Sequence, residues 1–478
     1  MTTITTAPDE LPADTTGNRL SGQLWAILLV LCGTVFLEGL DVSMMGVALP
    51  SIRADLGMST SSLQWVVSAY VLGYGGFVLL GGRAADLLGR RRMFLAALAV
   101  FIGFSGLGGM APDGWVLIVA RFVTGVSAGF LTPASLSIIT TNFAEGERRN
   151  RALLVYGAAG AAGFSLGMVV GGLLTAIDWR WVFFAPVLCA SMLFVVATRL
   201  VPVDVPATRS RQPVDVAGAV SLTGGMLLLV TGVVRAPDIP LIETAATLAG
   251  SVLLLVTFVV VERRSPAPLV RLGILRSTAL LRANLGALLF VGSFIGFQFI
   301  AVLYLQELRG WSALETGLAL MVAGIDAVIA PTITPVLVRR FGTLRVLLAG
   351  TVLGVAAYAS FLPLRADWTY GLMLPTLILI GLAFALAYGP LTIAATAGVD
   401  ESEQGLASGL LNASVQFGAA LILAVVTAVN VVATGDGASP EALLDGYRAA
   451  LIVPIVGVSL AALITASGLT RRRNRMTG

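Results

Sequence analysis

The chain has 478 residues, 57% of them hydrophobic and only 12% charged, with a mean hydropathy of +0.93 and a net charge of +4. Soluble domains carry about 25% charged residues, so this balance excludes a soluble globular protein and calls for many lipid-buried segments. With no histidine, two cysteines lying in apolar runs and no phosphate-binding glycine loop, no metal site, disulfide framework, catalytic residue or ATP site is expected, and the chain is not expected to be an enzyme.

Residues 1–23 are polar and acidic (Asp9, Glu10, Asp14) and lack the basic start and short apolar region of a signal peptide; they read as a disordered cytoplasmic tail. Fourteen apolar runs follow, at 24–48, 62–81, 93–111, 115–139, 152–176, 181–201, 215–234, 241–261, 282–305, 314–337, 343–364, 369–393, 405–434 and 447–468. Each is long enough to span a bilayer, and lipid offers backbone groups no partner but their own helix. An even number of spans puts both termini on one side. All 30 basic residues are arginine; 23 lie in the tails and the loops of that side, six on the other, and Arg121 alone within a span. Positive charge concentrates on the cytoplasmic side, so both termini are expected there, in a multi-pass protein of a bacterial cytoplasmic membrane. Topology thus explains the pI near 9.4 without a nucleic-acid partner.

Span 1 contains "FLEGLDVSMMGVALP" (36–50), with Glu38 and Asp41 three residues apart on one helical face. A charge near the bilayer centre costs at least about 2.5–3.5 kcal/mol, so each acid needs a partner, a wet cavity or a proton. Two carboxylates so close do not both ionise easily, which makes a site able to bind and release a proton. Arg121 in span 4 is the natural partner of Asp41. The run ends place both roughly 10 Å deep at about 1.5 Å per residue. Between spans 2 and 3, "GGRAADLLGRRR" (81–92) is a short turn in which Asp86 can be latched by Arg83 and Arg90 around Gly89. Span 5 carries Gly157, Gly160, Gly163, Gly167 and Gly171 on a stripe about 120° wide, suited to close packing and to sliding.

"RAADLLGRRRMFL" (83–95) aligns with "VLVRRFGTLRVLL" (336–348) at an offset of 253 residues. Spans 1–6 then correspond to spans 9–14. The expected organisation is an N-terminal six-helix bundle (24–201), linkers with inserted helices 7 and 8 (202–281), a C-terminal six-helix bundle (282–468) and a basic cytoplasmic tail (469–478). Two six-helix halves around a central pair form a transporter layout. In span 10, Asp326 lies near the midplane, ahead of Pro331 and Pro335, and is a possible second acid. Tyr70, Phe294, Gln298, Tyr304, Asn412 and Gln416 are candidates for a substrate pocket.

These motifs resemble the fourteen-helix drug:proton antiporters of the major facilitator superfamily. "GGRAADLLGRRR" resembles their loop between helices 2 and 3. "LDVSMMGVALP" (40–50), "LQWVVSAYVL" (63–72) and "ARFVTGVSAG" (120–129) are similar to their signatures in helices 1, 2 and 4. "DWRWVFF" (178–184) and "YLQELRGWSALETG" (304–317) fit as well, and the resemblance runs from about residue 24 to 470. It implies that Asp41 and Arg121 take part in proton coupling, that Asp86 is a conformational latch, and that span 5 is the glycine-rich antiporter helix. The usual Gly-Pro pair of that helix reads Gly167-Met168 here, Arg339 stands where the second copy of the loop would repeat Asp86, and span 13 has only Glu403 near its start rather than a central acid. Glu38 is an addition to the pattern.

The expected function is proton-coupled antiport, exporting small lipophilic or cationic compounds such as drugs, antibiotics or natural products. The expected partners are that substrate, protons and membrane lipid, with the proton gradient as the only energy source, no ATP, and a monomer as the working unit. The alternatives are proton-coupled uptake of a small solute and a non-transporting membrane sensor.

Overall fold

The computed structural model describes residues 22–143, 146–202, 215–266, 268–397, 399, 403–435 and 439–477. The linker at 202–213 and the first tail thus lie almost wholly outside the described residues, as do the side chains of 470–478. Among the described residues every regular element is helical. Fourteen helices are long and apolar enough to cross a membrane: α1 Gly22–Leu56, α2 Thr60–Leu88, α3 Arg90–Gly109, α4 Gly114–Asn142, α5 Glu147–Ile177, α6 Trp181–Leu200, α7 Val216–Arg235, α8 Leu241–Arg264, α9 Thr278–Leu308, α10 Ala313–Thr332, α11 Thr343–Phe361, α12 Tyr370–Thr396, α13 Gln404–Thr434 and α14 Pro440–Leu469.

Several starts are written in the sequence as caps. Ser59 accepts from Ser62 N, Asp113 from Trp115 N and Val116 N, and Ser312 with Glu315 closes a reciprocal capping box. α1 continues through Pro50 to Leu56, eight residues past the end of its apolar run. Asp41 is therefore about 22 Å from the end of its helix, not 10 Å, at the usual rise per residue. The α10 region is broken. A 3-10 stretch at Met321–Ile325 separates two α-helical pieces, and a short helix Thr334–Phe341 follows the interruption at Ile333. Pro331 lies just before the interruption at Ile333, and Pro335 falls in the first turn of the helix after it, where its missing N–H costs nothing.

α1–α6 pack on one another, α9–α14 form the second bundle, and α7 wedges against α2 and α13 with α8 outside it. The two aligned loop segments share a backbone feature. Gly89, between α2 and α3, has φ 101°, and Gly342, which is 253 residues later, has φ 85° at the equivalent link into α11. Side chains other than glycine are strained there, so Gly89→Ala is expected to cost about 1–3 kcal/mol and to lower the melting temperature of the purified protein.

Glycines set the closest helix contacts. A Cβ on Gly125 would lie 2.0 Å from the Tyr70 carbonyl oxygen, and one on Gly73 would lie 2.4 Å from that of Phe122, so α2 and α4 touch backbone to backbone. α1 and α5 do the same through Gly39, Gly160, Gly163, Gly167 and Gly171. This stripe thus packs within one bundle, and Gly157 is not part of the contact, with nothing among the described residues within 4 Å of its Cβ position. A neighbouring face of α5 meets the other bundle: Gly172 lies against Ala313, Met168 against Gly317, and Ser165 against Gly324.

Candidate functional site

The two glycine-packed pairs, α1 with α5 and α2 with α4, bring the charged groups of α1 and α4 together inside the N-terminal bundle. Arg121 Nη1 donates to Asp41 Oδ2 at 2.6 Å, and the side chains are only 2% and 0% exposed. Arg121 Nε donates to the Val66 carbonyl at 3.2 Å, and its guanidinium carbon stands 4.4 Å from the Tyr70 ring centroid. The guanidinium is thus held on three sides, by charge, by backbone and by an aromatic face. Among the described residues Asp41 Oδ1 has no hydrogen-bond partner.

Glu38, one turn away, is also buried. Its Oε2 accepts from Thr132 Oγ1 at 2.7 Å, and Thr132 in turn accepts from the Tyr74 hydroxyl at 2.8 Å. Glu38 Oε1 has no partner among the described residues. The site therefore has two carboxylates on one helix, a single arginine and two open acceptor oxygens. In an apolar surround, such an arrangement can take up a proton and exchange it. Replacing Thr132 by valine removes the donor to Glu38; the expected cost is about 1–3 kcal/mol, read as a lowered melting temperature.

Tyr74 and Thr132 are members of this cluster that sequence reasoning missed. Helical spacing held the signal: Tyr74 is four residues beyond Tyr70 on α2, and Thr132 is eleven residues beyond Arg121, about three turns along one face of α4.

The remaining candidates are dispersed. Tyr70 belongs to the cluster. Phe294 meets Phe164 of α5 at 6.0 Å between centroids and Phe384 of α12 at 5.1 Å, where the two bundles face each other. Gln298 lies beside Gly46 of α1 with its Nε2 unpaired, and Gln416 packs on Gly75 of α2. Two of the pocket candidates make hydrogen bonds within the C-terminal bundle. Tyr304 is fully buried in a π-helical end of α9, donating to the Arg365 carbonyl at 2.6 Å, so it ties α9 to the start of the α11–α12 loop. Asn412 donates back to Ser408 on its own helix. Asp326 is half-buried at the start of the second α-helical piece of α10.

At the 81–92 turn, Asp86 sits 3.5 Å from both Arg90 and the Ser137 hydroxyl, and Arg90 also reaches Thr141. These contacts join α2, α3 and α4 within the N-terminal bundle. On the opposite face the two bundles are tied directly: Arg53 of α1 pairs with Glu307 of α9 at 2.8 Å, and Gln306 Nε2 donates to the Val47 carbonyl at 2.9 Å. Neither link was foreseen from the sequence.

Residues 31–423 match the family model described as Major Facilitator Superfamily. The chain is 36% identical to the cephamycin export protein of Amycolatopsis lactamdurans, across 92% of this chain and 91% of that one. It is 35% identical to the puromycin resistance protein of Streptomyces alboniger, across 92% and 90%. Among solved structures, the POT family transporter PepTSo superposes with a TM-score of 0.67 at 14% identity (94% of this chain, 99% of that chain), and the nucleoside transporter NupG with 0.64 at 12% (93% and 99%). At such identities these two establish the fold alone. The protein is a multi-pass transporter of the bacterial cytoplasmic membrane and not an enzyme, and the chain belongs to the Major Facilitator Superfamily.

Proposed function

We propose that this chain exports small lipophilic compounds, antibiotics among them, in exchange for protons by alternating access. The observation that carries the reading is the Asp41–Arg121 pair, enclosed at 2.6 Å with Asp41 Oδ1 unpartnered. A buried ion pair is tolerated because each charge compensates the other. A proton arriving at Oδ1 cancels that compensation. Arg121 then keeps only the Val66 carbonyl and the Tyr70 ring, and the tie between α1 and α4 weakens. Since α1 is locked to α5 by glycine contacts, a change at Asp41 is passed to the helix that faces the C-terminal bundle. Glu38, with its open Oε1, is a second position for the proton; Asp326 is a more distant one.

The substrate class rests on relatives named for cephamycin export and for resistance to puromycin and lincomycin. The aromatic contact of Phe164, Phe294 and Phe384 and the amides of Gln298 and Gln416 offer an apolar surface with few polar groups where the bundles meet, the usual make-up of a small-molecule site. The arginine distribution favours both termini in the cytoplasm; in that orientation the Arg53–Glu307 link lies on the outer face. The membrane potential contributes about 2.3 kcal/mol per charge per 100 mV. Exchange of one proton for a neutral substrate is therefore voltage-driven, and exchange for a monocation is not.

The test uses everted vesicles whose lumen has been acidified. Puromycin, lincomycin and a cephamycin are added in turn, and luminal pH is followed. Release of protons by any of them, absent from vesicles lacking the protein, supports the proposal. If protons stay in while a labelled compound is accumulated, the transport is not proton exchange.

A further inference from the structure

A cavity of about 390 Å³ opens on the face opposite the chain start, at the junction of the two bundles and the inserted pair. Its polar wall combines Arg53 and Glu307, Asp238 from the α7–α8 loop, and Asn430, Thr434 and Tyr447 from α13 and α14. Leu303, Val431 and Leu443 supply an apolar side. None of these residues belongs to the Asp41–Arg121 cluster, so the cavity is a separate place in the molecule.

Three features point to its ligand. Two carboxylates against one guanidinium leave the cavity with one excess negative charge. Asn430 and Tyr447 are 5% and 1% exposed; among the described residues Asn430 Oδ1 and Thr434 Oγ1 have no hydrogen-bond partner, and the Tyr447 hydroxyl faces the Glu307 carboxylate. Buried acceptors left open are costly, and a ligand that supplies donors relieves them. The Arg53–Glu307 pair is partly exposed, at 34% and 20%, and exposed pairs of this kind hold weakly. A competing cation can therefore take Arg53's place at Glu307.

We propose that this cavity is a binding site for an amphiphilic amine reaching the protein from the face opposite its termini. A protonated amine has donors and no acceptor. It meets Glu307, Asn430 Oδ1 and the hydroxyl of Tyr447 or Thr434, while an apolar tail lies on Leu303, Val431 and Leu443. A carboxylate of the same shape is repelled by the excess negative charge, and an alcohol leaves Glu307 without a cation. The volume is within the range of drug-sized sites.

The proposal does not depend on proton exchange and is tested by equilibrium binding. The full chain in lipid nanodiscs is titrated calorimetrically with 2-phenylethylamine, 2-phenylethanol and 3-phenylpropanoate, with empty nanodiscs as the blank. The expected result is saturable binding of the amine, at least about tenfold tighter than the alcohol or the acid. Glu307→Gln, Asn430→Leu and Tyr447→Phe each weaken it by about tenfold or more, and Asp41→Asn leaves it unchanged. Asn430→Leu and Tyr447→Phe leave both members of the ion pair in place, so they decide the matter if Glu307→Gln fails to fold. Absence of saturable amine binding, equal binding of alcohol and amine, or no effect of Asn430→Leu and Tyr447→Phe overturns the proposal.

Discussion

With asparagine in place of Asp41, substrate-driven proton release from everted vesicles is expected to disappear completely, while the protein still inserts and binds substrate. Asparagine keeps an oxygen for Arg121 Nη1 but cannot take up or give back a proton. Removing one partner of a buried pair costs about 3–5 kcal/mol in stability. The retained hydrogen bond should hold the loss for asparagine below that range, whereas Asp41→Ala should reach it. The Arg121 contacts to Val66 and Tyr70 remain in either variant. Glu38→Gln separates the two acids. If Asp41 carries the proton, this variant still couples transport to proton release. If Asp41→Asn exchanges like wild type and Glu38→Gln does not, the carrier is Glu38, and its hydrogen bond from Thr132 becomes the first contact to probe.

The second large effect is expected at Gly163. A Cβ there would lie 2.1 Å from the backbone oxygen of Phe36, and a carbonyl cannot rotate away as a side chain can. Gly163→Ala must push α1 from α5, next to the turn that holds Glu38 and Asp41. Overpacking of this kind costs about 1–3 kcal/mol, and displacement of α1 also lengthens the 2.6 Å contact to Arg121. Export should fall to background and the melting temperature should drop. Gly157→Ala is the control on the same stripe. With no atom within 4 Å of its Cβ position, it should change stability by less than about 0.5 kcal/mol and leave export intact. Equal behaviour of the two variants would show that the α1–α5 contact is not what the transport cycle depends on.

The sequence by itself determined the spans, because lipid leaves a greasy segment no conformation but a helix, and hydropathy alone counts them. It also singled out Asp41 and Arg121, since an ionised group within a span is rare enough to demand an explanation, and it exposed the repeat that returns as the paired glycine turns at Gly89 and Gly342. Only the tertiary structure decided what surrounds those charges. Thr132 and Tyr74 look like ordinary polar residues until the α2–α4 glycine contacts fix the register that aims them at Glu38. Arg53 and Glu307 are 254 residues apart and become partners only when the two bundles meet. Tyr304 has the composition of a pocket residue, yet the π-helical end of α9 turns its hydroxyl onto the Arg365 carbonyl. The reason is the same in each case. Burial in lipid is a property of one segment and can be read from it, whereas a polar side chain's partner is set by the distance and rotation between helices, which depend on packing across the whole molecule.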